Sequence, residues 1–158
     1  MNAVPPRVVL DTNVCLDLFV FADPRCADLA AALFAGEVEA VTSADCHDEW
    51  LAVLEYPRVA LDASVRGPAM RDFDARVRVL PATAAAIALP RCADPDDQKF
   101  VVLAAAAGAR WLLSRDNALL RLGRRTLRDA GFAILTPEQW SIAWNAGRVP
   151  LPEPGNPC

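Results

Sequence analysis

Val8-Val9-Leu10-Asp11-Thr12-Asn13 is the stretch that decides the fold, because it indicates a buried strand that ends in polar residues. Three apolar residues typical of strands run directly into a carboxylate, a hydroxyl and an amide. A carboxylate at the end of a buried strand is costly unless another group pairs with it. In open α/β sheets, ligands bind at the carboxyl ends of the strands. The stretch therefore predicts a strand over residues 7–10 and makes Asp11 a candidate site residue, unless Asp11 or Asn13 only caps the next helix.

The length and composition indicate one folded domain. The chain has 158 residues, of which 54% are hydrophobic and 23% charged, so it can bury a sizeable core. Its net charge of −4 argues against a basic protein that coats nucleic acid. The same charge is compatible with an enzyme that contacts phosphates through bound cations. We expect residues 1–146 to form the domain and residues 147–158, which contain four prolines, to form an extended or disordered tail.

The cysteines and the apolar runs indicate a cytoplasmic protein. Five cysteines, an odd number with no Cys-X-X-Cys pair, argue against a disulfide framework or a zinc site. Cys15, Cys26 and Cys46 fall in apolar helical patterns and are predicted to lie in the core. The first residues do not have the pattern of a signal peptide. The longest uncharged apolar run, residues 100–109, is too short to span a bilayer, so we expect no membrane partner.

Strands and helices alternate along the whole chain. This pattern predicts a single three-layer α/β/α domain with a central, mostly parallel sheet. The predicted strands cover residues 7–10, 38–42, 77–80, 111–114 and 132–135. The predicted helices cover residues 14–21, 23–36, 44–55, 62–76 with an interruption at Gly67-Pro68, 82–89, 98–107, 119–122, and a last segment that starts at Thr136-Pro137.

Four acidic residues are candidates for a common site at the carboxyl edge of this sheet. Asp11 and Asp116 each follow a predicted strand, and they open into one crevice if those strands are neighbours. Glu49 lies on the apolar side of its helix, and Asp97 lies at the start of a buried helix. Each also has an ordinary structural alternative as a cap, a turn residue or an ion-pair partner.

Carboxylates grouped in this way repel one another unless a cation lies between them. Oxygen ligands without nitrogen or sulfur suit Mg²⁺ or Mn²⁺. Thr12, Asn13 and Ser114 are candidates for orienting a ligand or a bound water molecule. His47, the only histidine, lies on another face of its helix and is not expected to be catalytic.

Together these segments resemble a PIN domain, in particular the bacterial PIN proteins that act as toxins in toxin–antitoxin systems. The order and spacing of four segments carry the resemblance, which covers about residues 7–140. The segments are Val9-Leu10-Asp11-Thr12-Asn13, Glu49 early in the third helix, Asp94-Pro95-Asp96-Asp97-Gln98-Lys99-Phe100, and Leu112-Leu113-Ser114-Arg115-Asp116. The fold that it implies, a parallel sheet between layers of helices, agrees with the independent prediction above.

The resemblance also implies an activity. It implies that Asp11, Glu49, Asp97 and Asp116 are catalytic and bind one or two Mg²⁺ or Mn²⁺ ions. It implies hydrolysis of RNA to 5′-phosphate and 3′-hydroxyl ends, and an antitoxin protein as a second partner. Asp96 competes with Asp97 for the third position. We prefer Asp97 because an apolar residue follows it by three positions, as in the family pattern.

Arginines near Asp116 are the candidate RNA contacts. Arg121, Arg124, Arg125 and Arg128 are spaced i, i+3, i+4 and i+7, so they share one face if the segment is helical. Such a face either binds phosphates or is simply solvated. Arg115 is a comparable candidate because it directly precedes Asp116.

Other functions stay open on the sequence alone. They are a catalytically silent PIN-like binding module, a structure-specific DNA nuclease, and a receiver-type phosphoacceptor. The last requires a lysine at a strand end, whereas the only lysine, Lys99, lies inside a predicted helix. Trp140 and Trp144 belong either to the core or to the face of a homodimer.

Overall fold

The computed structural model describes residues 4–57, 59, 61–81 and 88–148 of the chain. Two sequence predictions fall largely outside these residues. They are the helix over residues 82–89, of which residues 82–87 are not described, and the tail, of which residues 149–158 are not described. The last helix runs two residues past the predicted start of the tail.

Five strands and eight helices alternate within the described residues. The strands are β1 (Arg7–Leu10), β2 (Glu39–Thr42), β3 (Val77–Val79), β4 (Trp111–Leu113) and β5 (Ala133–Leu135). The helices are α1 (Thr12–Phe19), α2 (Ala27–Phe34), α3 (Ala44–Leu54), α4 (Ala63–Arg76), α5 (Gln98–Ala106), α6 (Asn117–Leu120), α7 (Gly123–Ala130) and α8 (Pro137–Arg148). Short 3₁₀ turns over Pro24–Cys26 and Pro95–Asp97 lead into α2 and α5.

The five strands form one parallel sheet in the order β3-β2-β1-β4-β5. This confirms the predicted fold class. Val9 of β1 lies opposite Val41 of β2 on one side and Leu112 of β4 on the other. Because β1 and β4 are parallel neighbours, their carboxyl ends meet at one edge, where the Asp11 backbone N–H donates to the Leu113 carbonyl at 2.9 Å.

Apolar side chains cover both faces of the sheet and form two core clusters. Alternate residues of β1 divide between them, since successive side chains of a strand point to opposite faces. Val8 packs in the cluster that contains Trp50, whereas Val9 packs in the cluster that contains Phe100. Burying a side chain such as Phe100 stabilises the fold by about 1.5–3 kcal/mol. The central strands are therefore held firmly on both faces, which fixes the position of the residues that follow them.

The predictions for the tryptophans and cysteines are resolved by burial. Trp140 is fully buried and stacks on Trp144 with ring centroids 5.1 Å apart, so the structure places Trp140 in the core. Cys15, Cys26, Cys46 and Cys92 are buried free thiols, which confirms the core prediction for the first three. Among the described residues, no helix has the length and hydropathy needed to cross a membrane.

The predicted interruption at Gly67-Pro68 is wrong, because α4 continues through both residues. Proline removes one backbone donor from a helix and does not by itself end it. The start of α4 is fixed by the Asp62 carboxylate, which accepts hydrogen bonds from the backbone N–H groups of Ser64 and Val65. Burial of Phe73 in the core holds its other end.

The arginine segment is helical from Gly123 onward, and Arg121 ends the preceding short helix α6. Close packing explains why glycine occupies the first position of this helix. A Cβ atom there would lie 3.3 Å from the carbonyl oxygen of Ile134 in β5. Arg124, Arg125 and Arg128 therefore share α7, without Arg121.

Candidate metal centre

Asp11 is a buried carboxylate at the carboxyl end of β1. It is 4% exposed, and its Oδ2 atom accepts a hydrogen bond from the Ser114 hydroxyl at 2.7 Å instead of capping α1. Burial raises the pKa of Asp11, the bond from Ser114 opposes that increase, and the charges of Glu49 and Asp116 add to it. Asp11 therefore occupies the N-cap position of α1 without a capping bond from its side chain, and its charge is unfavourable without a nearby cation.

Ser114 links the ends of β1 and β4. Its side chain is fully buried, and its Oγ atom accepts the Asp116 backbone N–H at 2.9 Å while donating to Asp11. The Asp116 carboxylate accepts the Ala118 N–H at 2.9 Å and so caps α6. Asp116 thus has both the ordinary capping role and a place at the edge beside Asp11.

Asp97 faces Asp116 from the 3₁₀ turn before α5. Burial raises the pKa of Asp97 to about 7, and the hydrogen bond between its carboxyl group and Asp116 and the charge of Asp11 add to this increase. The same hydrogen bond lowers the pKa of Asp116. Two negative charges this close repel each other, so a cation between the two carboxylates would be stabilising.

Asp94 joins Asp97 and Asp116 in one group. Each offers a carboxylate oxygen, and these oxygens lie within 4.8 Å of one another. Asp94 also accepts the Asp96 backbone N–H at 3.0 Å, which is the capping role that the sequence predicted for it. Asp96 is exposed and its carboxylate is not in the group, so the structure brings Asp97 rather than Asp96 to the site.

Glu49 reaches the same edge from α3 but is already paired. Its Oε2 atom accepts a hydrogen bond from the Thr12 hydroxyl, and its Oε1 atom accepts one from the Lys99 ammonium at 2.8 Å. Lys99 also donates to the Asp96 carbonyl at 2.8 Å. The ion-pair alternative for Glu49 is therefore observed, with Lys99 as the partner.

Sequence reasoning missed Asp94 and Lys99 as members of this site. Asp94 was assigned only as a cap, although its spacing of three residues from Asp97 places both in one turn. Lys99 was considered only as the strand-end lysine that a receiver-type phosphoacceptor requires. It follows Asp97 by two residues, and its long side chain spans the distance to Glu49.

The two remaining candidates, Asn13 and His47, have different surroundings. Asn13 is exposed in the first turn of α1. The ring of His47 packs near Phe73, and its Nε2 atom lies 3.4 Å from a carboxylate oxygen of Asp74. The structure therefore gives His47 a position outside the acid group, as expected.

The candidate RNA-binding arginines differ in what they contact. Arg115 forms ion pairs with Asp17 at 2.6 Å and with Glu138 at 2.8 Å. Arg128 pairs with its neighbour Asp129 at 2.7 Å. The remaining three are exposed and form no ion pair with the residues that the structure describes: Arg121, Arg124 and Arg125.

Comparisons with known proteins identify one family. A family model described as "PIN domain" matches residues 7–118 of the chain. No curated protein matches its sequence. A solved structure, the crystal structure of VapBC2 from Rickettsia felis bound to a DNA fragment from their promoter, contains a chain similar to this one at 14% identity and a TM-score of 0.49. The similarity covers 81% of this chain and 96% of that chain.

Proposed function

The chain belongs to the PIN domain family, whose members are generally metal-dependent nucleases, and from this premise we propose that it is a Mg²⁺- or Mn²⁺-dependent endoribonuclease. In this proposal Asp11, Asp97 and Asp116 are the catalytic and metal-binding carboxylates. Glu49 completes the set from α3, and Asp94 lies beside it. The proposed products are a 5′-phosphate and a 3′-hydroxyl.

The observation that carries the proposal is the close group of carboxylates at the carboxyl edge of the sheet. The oxygens of Asp94, Asp97 and Asp116 lie within 4.8 Å of one another, and Asp11 is hydrogen-bonded to the same turn through Ser114. The nearby ammonium of Lys99 contacts Glu49. The donor set consists of hard oxygen ligands, which suit Mg²⁺ or Mn²⁺.

The roles of the side chains follow from their contacts. A bound divalent ion supplies an activated water molecule and polarises the phosphoryl oxygen. Ser114 orients the Asp11 carboxylate, and Thr12 orients the Glu49 carboxylate. The protein needs no nucleophilic side chain for this reaction, in agreement with the position of His47 outside the group.

The exposed arginines provide a surface for the RNA backbone. We assign phosphate contacts to Arg121, Arg124 and Arg125, because they follow Asp116 closely in the chain and form no ion pair within the described residues. Arg115 is not included, because Asp17 and Glu138 occupy its guanidinium group. Replacing the three exposed arginines by glutamine is expected to weaken RNA binding. It should also make the RNA affinity less dependent on salt concentration.

We further propose that the protein is the toxin of a cytoplasmic toxin–antitoxin pair. The resemblance of the four acidic segments to bacterial PIN toxins supports this proposal. The neutralising partner is then a second protein chain. Induced expression in bacteria is expected to arrest growth, and the Asp97→Asn variant is expected to abolish that arrest. Growth arrest by both proteins to the same extent would contradict the proposal.

The direct test is cleavage of a 5′-labelled single-stranded RNA and of a DNA of the same sequence, with Mn²⁺, Mg²⁺ or EDTA. We expect the metal ions to support RNA cleavage and EDTA to abolish it. Asp97→Asn and Asp116→Asn are expected to reduce the rate on the order of 100-fold. Asp129→Asn is the matched control, because Asp129 is an exposed acid on α7 that pairs with Arg128.

The other functions are outcomes of the same experiment. Cleavage of DNA but not RNA would replace the proposal by a DNA nuclease. Binding of Mn²⁺ without cleavage of either substrate would favour a binding module. Equal RNA cleavage by the wild type and Asp97→Asn would overturn the assignment of the site.

A further inference from the structure

We infer that Arg115 is a positioning residue for the acid group and not an RNA contact. It fixes the turn that carries Ser114 and Asp116, and the position of this turn sets the affinity of the site for a divalent cation. The inference rests on the proposed function, because it concerns the metal affinity of the proposed site.

Successive side chains point in opposite directions as the chain leaves β4. The Ser114 hydroxyl and the Asp116 carboxyl contact Asp11 and Asp97 on the acid side. Arg115, between them, contacts Asp17 of α1 and Glu138 of α8 instead. One side chain of the turn is therefore anchored in the body of the protein, while its two neighbours face the site.

Within the described residues, the backbone of the turn donates few hydrogen bonds to other elements. The last hydrogen bond to the neighbouring strand is that of the Ser114 backbone N–H to the Leu135 carbonyl, at 3.0 Å. The next donor, the Asp116 N–H, is bound by the Ser114 hydroxyl of the same turn. After Ser114, the ion pairs of Arg115 tie the turn to α1 and α8, and the buried side chain of Leu119 holds the start of α6 in the core.

The acid group itself tends to displace the turn. The carboxylate oxygens of Asp97 and Asp116 lie within 4.8 Å of each other, so their negative charges repel, and Asp116 is the residue on the short segment after β4. A guanidinium group held by carboxylates from two helices resists this displacement, because its planar fork binds each of them in a fixed direction. The acids then stay close enough to share one cation.

The burial of the ion pair between Arg115 and Asp17 argues against a direct role of Arg115 in RNA binding. The side chains of Arg115 and Asp17 are 22% and 17% exposed. Turning Arg115 toward RNA would leave Asp17 and Glu138 without their cation, and for a largely buried carboxylate that is costly. The exposed arginines, Arg121 after α6 and Arg124 and Arg125 in α7, are available to RNA without this cost.

The test is the Mn²⁺ dissociation constant at pH 7.5 and 25 °C, from the electron paramagnetic resonance signal of free Mn²⁺. The variants are Arg115→Gln, Arg115→Lys, Glu138→Gln and the double variant Arg115→Gln/Glu138→Gln. Arg78→Gln is the matched control, because Arg78 is an exposed arginine that pairs with Glu39 on the other side of the sheet. Far-UV circular dichroism confirms that each variant is folded at this temperature.

We expect Arg115→Gln to weaken Mn²⁺ binding by about 10- to 100-fold, the range found when residues that orient metal ligands are replaced. Arg115→Lys is expected to restore part of the affinity. Glu138→Gln is expected to weaken binding in the same direction, and the double variant to bind no more weakly than Arg115→Gln alone. Arg78→Gln is expected to bind as the wild type does.

The direction in which Mn²⁺ affinity changes distinguishes a positioning role of Arg115 from a purely electrostatic role and from RNA contact. If Arg115 acted only through its charge, removing a positive group would tighten Mn²⁺ binding. If it contacted RNA, Arg115→Gln would change RNA affinity and leave Mn²⁺ affinity unchanged. Either result overturns the inference while the proposed function stands, whereas a wild-type protein that binds no Mn²⁺ overturns both. If Arg115→Gln does not fold, Arg115→Lys and Glu138→Gln decide the question.

Discussion

Two negative charges at Asp97 and Asp116 are costly, because burial and mutual repulsion both disfavour them at this distance. Burial raises the pKa of Asp97 to about 7, whereas the hydrogen bond from Asp97 lowers the pKa of Asp116. The titrations of the two groups are coupled, and the raised pKa of Asp97 favours a proton on its carboxyl group. A divalent cation that enters the site has to displace this proton.

This arrangement predicts the pH dependence of stability without metal. The pKa of Asp97 is raised in the folded protein above its ordinary value of 3.8, and burial also raises that of Asp11. Between about pH 4 and 7 the folded protein therefore binds more protons than the unfolded chain, and its free energy of unfolding decreases as the pH rises. The lowered pKa of Asp116 has the opposite effect, but only below about pH 4.

We expect the Tm of the wild type in EDTA to fall by a few degrees between pH 5 and pH 8, and to fall less in Asp97→Asn, which has no titratable group there. Saturating Mn²⁺ should reverse the slope, because the metal binds the deprotonated carboxylates. Thermal unfolding followed by circular dichroism measures both effects. Equal slopes for the wild type and Asp97→Asn in EDTA would contradict the assignment of the proton to Asp97.

Lys99 provides a second prediction at the scale of single residues. Its ammonium lies 2.8 Å from Glu49, and the two side chains are 21% and 26% exposed. Lys99→Met removes this pair, so the free energy of unfolding without metal should decrease by about 0.5–1 kcal/mol. The same change frees Glu49 and removes a positive charge near the site, so Mn²⁺ affinity should increase several-fold.

Urea unfolding in EDTA and Mn²⁺ titration measure the two effects of Lys99→Met. Arg66→Met is the control, because Arg66 forms an exposed ion pair with Glu55 at 2.8 Å. That variant should leave Mn²⁺ affinity unchanged. Weaker Mn²⁺ binding by Lys99→Met would show that Glu49 needs Lys99 to keep its position.

At the scale of elements, the ends of strands and helices position the site. Asp11 lies between β1 and α1, Asp116 between β4 and α6, and Asp97 between a 3₁₀ turn and α5. Helix starts carry unpaired backbone N–H groups that favour negative charge. The same physics that places acids at these starts therefore brings them together, once the sheet puts β1 beside β4.

Helix α4 provides a prediction at this scale, because Pro68 is its sixth residue. Proline at this position removes the N–H that would bind the carbonyl four residues earlier, so the helix is weakened without being broken. Pro68→Ala is expected to increase the free energy of unfolding by about 1–3 kcal/mol. The measurement is urea unfolding at pH 7 in EDTA.

Pro24→Ala is the matched control for Pro68→Ala. Pro24 is the first residue of a 3₁₀ turn, where proline suits the backbone, and Asp23 caps that turn. Its replacement should leave stability unchanged or lower it slightly. A loss of stability in Pro68→Ala would mean that Pro68 favours the local conformation of α4 through a contact that alanine cannot make.

At the scale of the whole molecule, one parallel sheet with two buried faces holds the acids in place before any metal binds. The central strands β1 and β4 are almost completely buried. Burial of the core therefore supplies the free energy that holds the carboxylates together against their mutual repulsion. A metal ion that binds the folded protein but not the unfolded chain should therefore increase the free energy of unfolding.

The corresponding prediction is a saturable increase in Tm with Mn²⁺. At 100 times the dissociation constant a ligand adds about 2.7 kcal/mol to the free energy of unfolding, and a domain of this size gains roughly 2–4 °C per kcal/mol. Differential scanning calorimetry measures the shift, with Asp97→Asn as the variant that should lose it. The metal-free Asp97→Asn protein should be the more stable of the two at pH 8, because one repelling charge is gone. A flat titration of the wild type would contradict the metal site.

The sequence by itself determined the fold class and most of the acid group. Alternating apolar segments and strand-end carboxylates depend on local periodicity and on the cost of burying charge, and both can be inferred from residue order. This is why the parallel sheet was predicted correctly, and why the sequence placed Asp11 and Asp116 at the ends of two strands that the structure makes neighbours. The continuous α4 was missed because propensity counts Pro68 as a break, whereas packing of Phe73 holds the helix together.

Only the tertiary structure decided which charges are paired. Lys99 compensates Glu49 across 50 residues of chain, and Arg115 reaches Asp17 across 98. Sequence reasoning placed Arg115 with the RNA contacts because it adjoins Asp116. Partner choice depends on side-chain direction and on which elements the fold makes neighbours, and spacing along the chain contains neither. The order of residues along the chain therefore identified the acidic site, and three-dimensional packing determined which of its charges are paired.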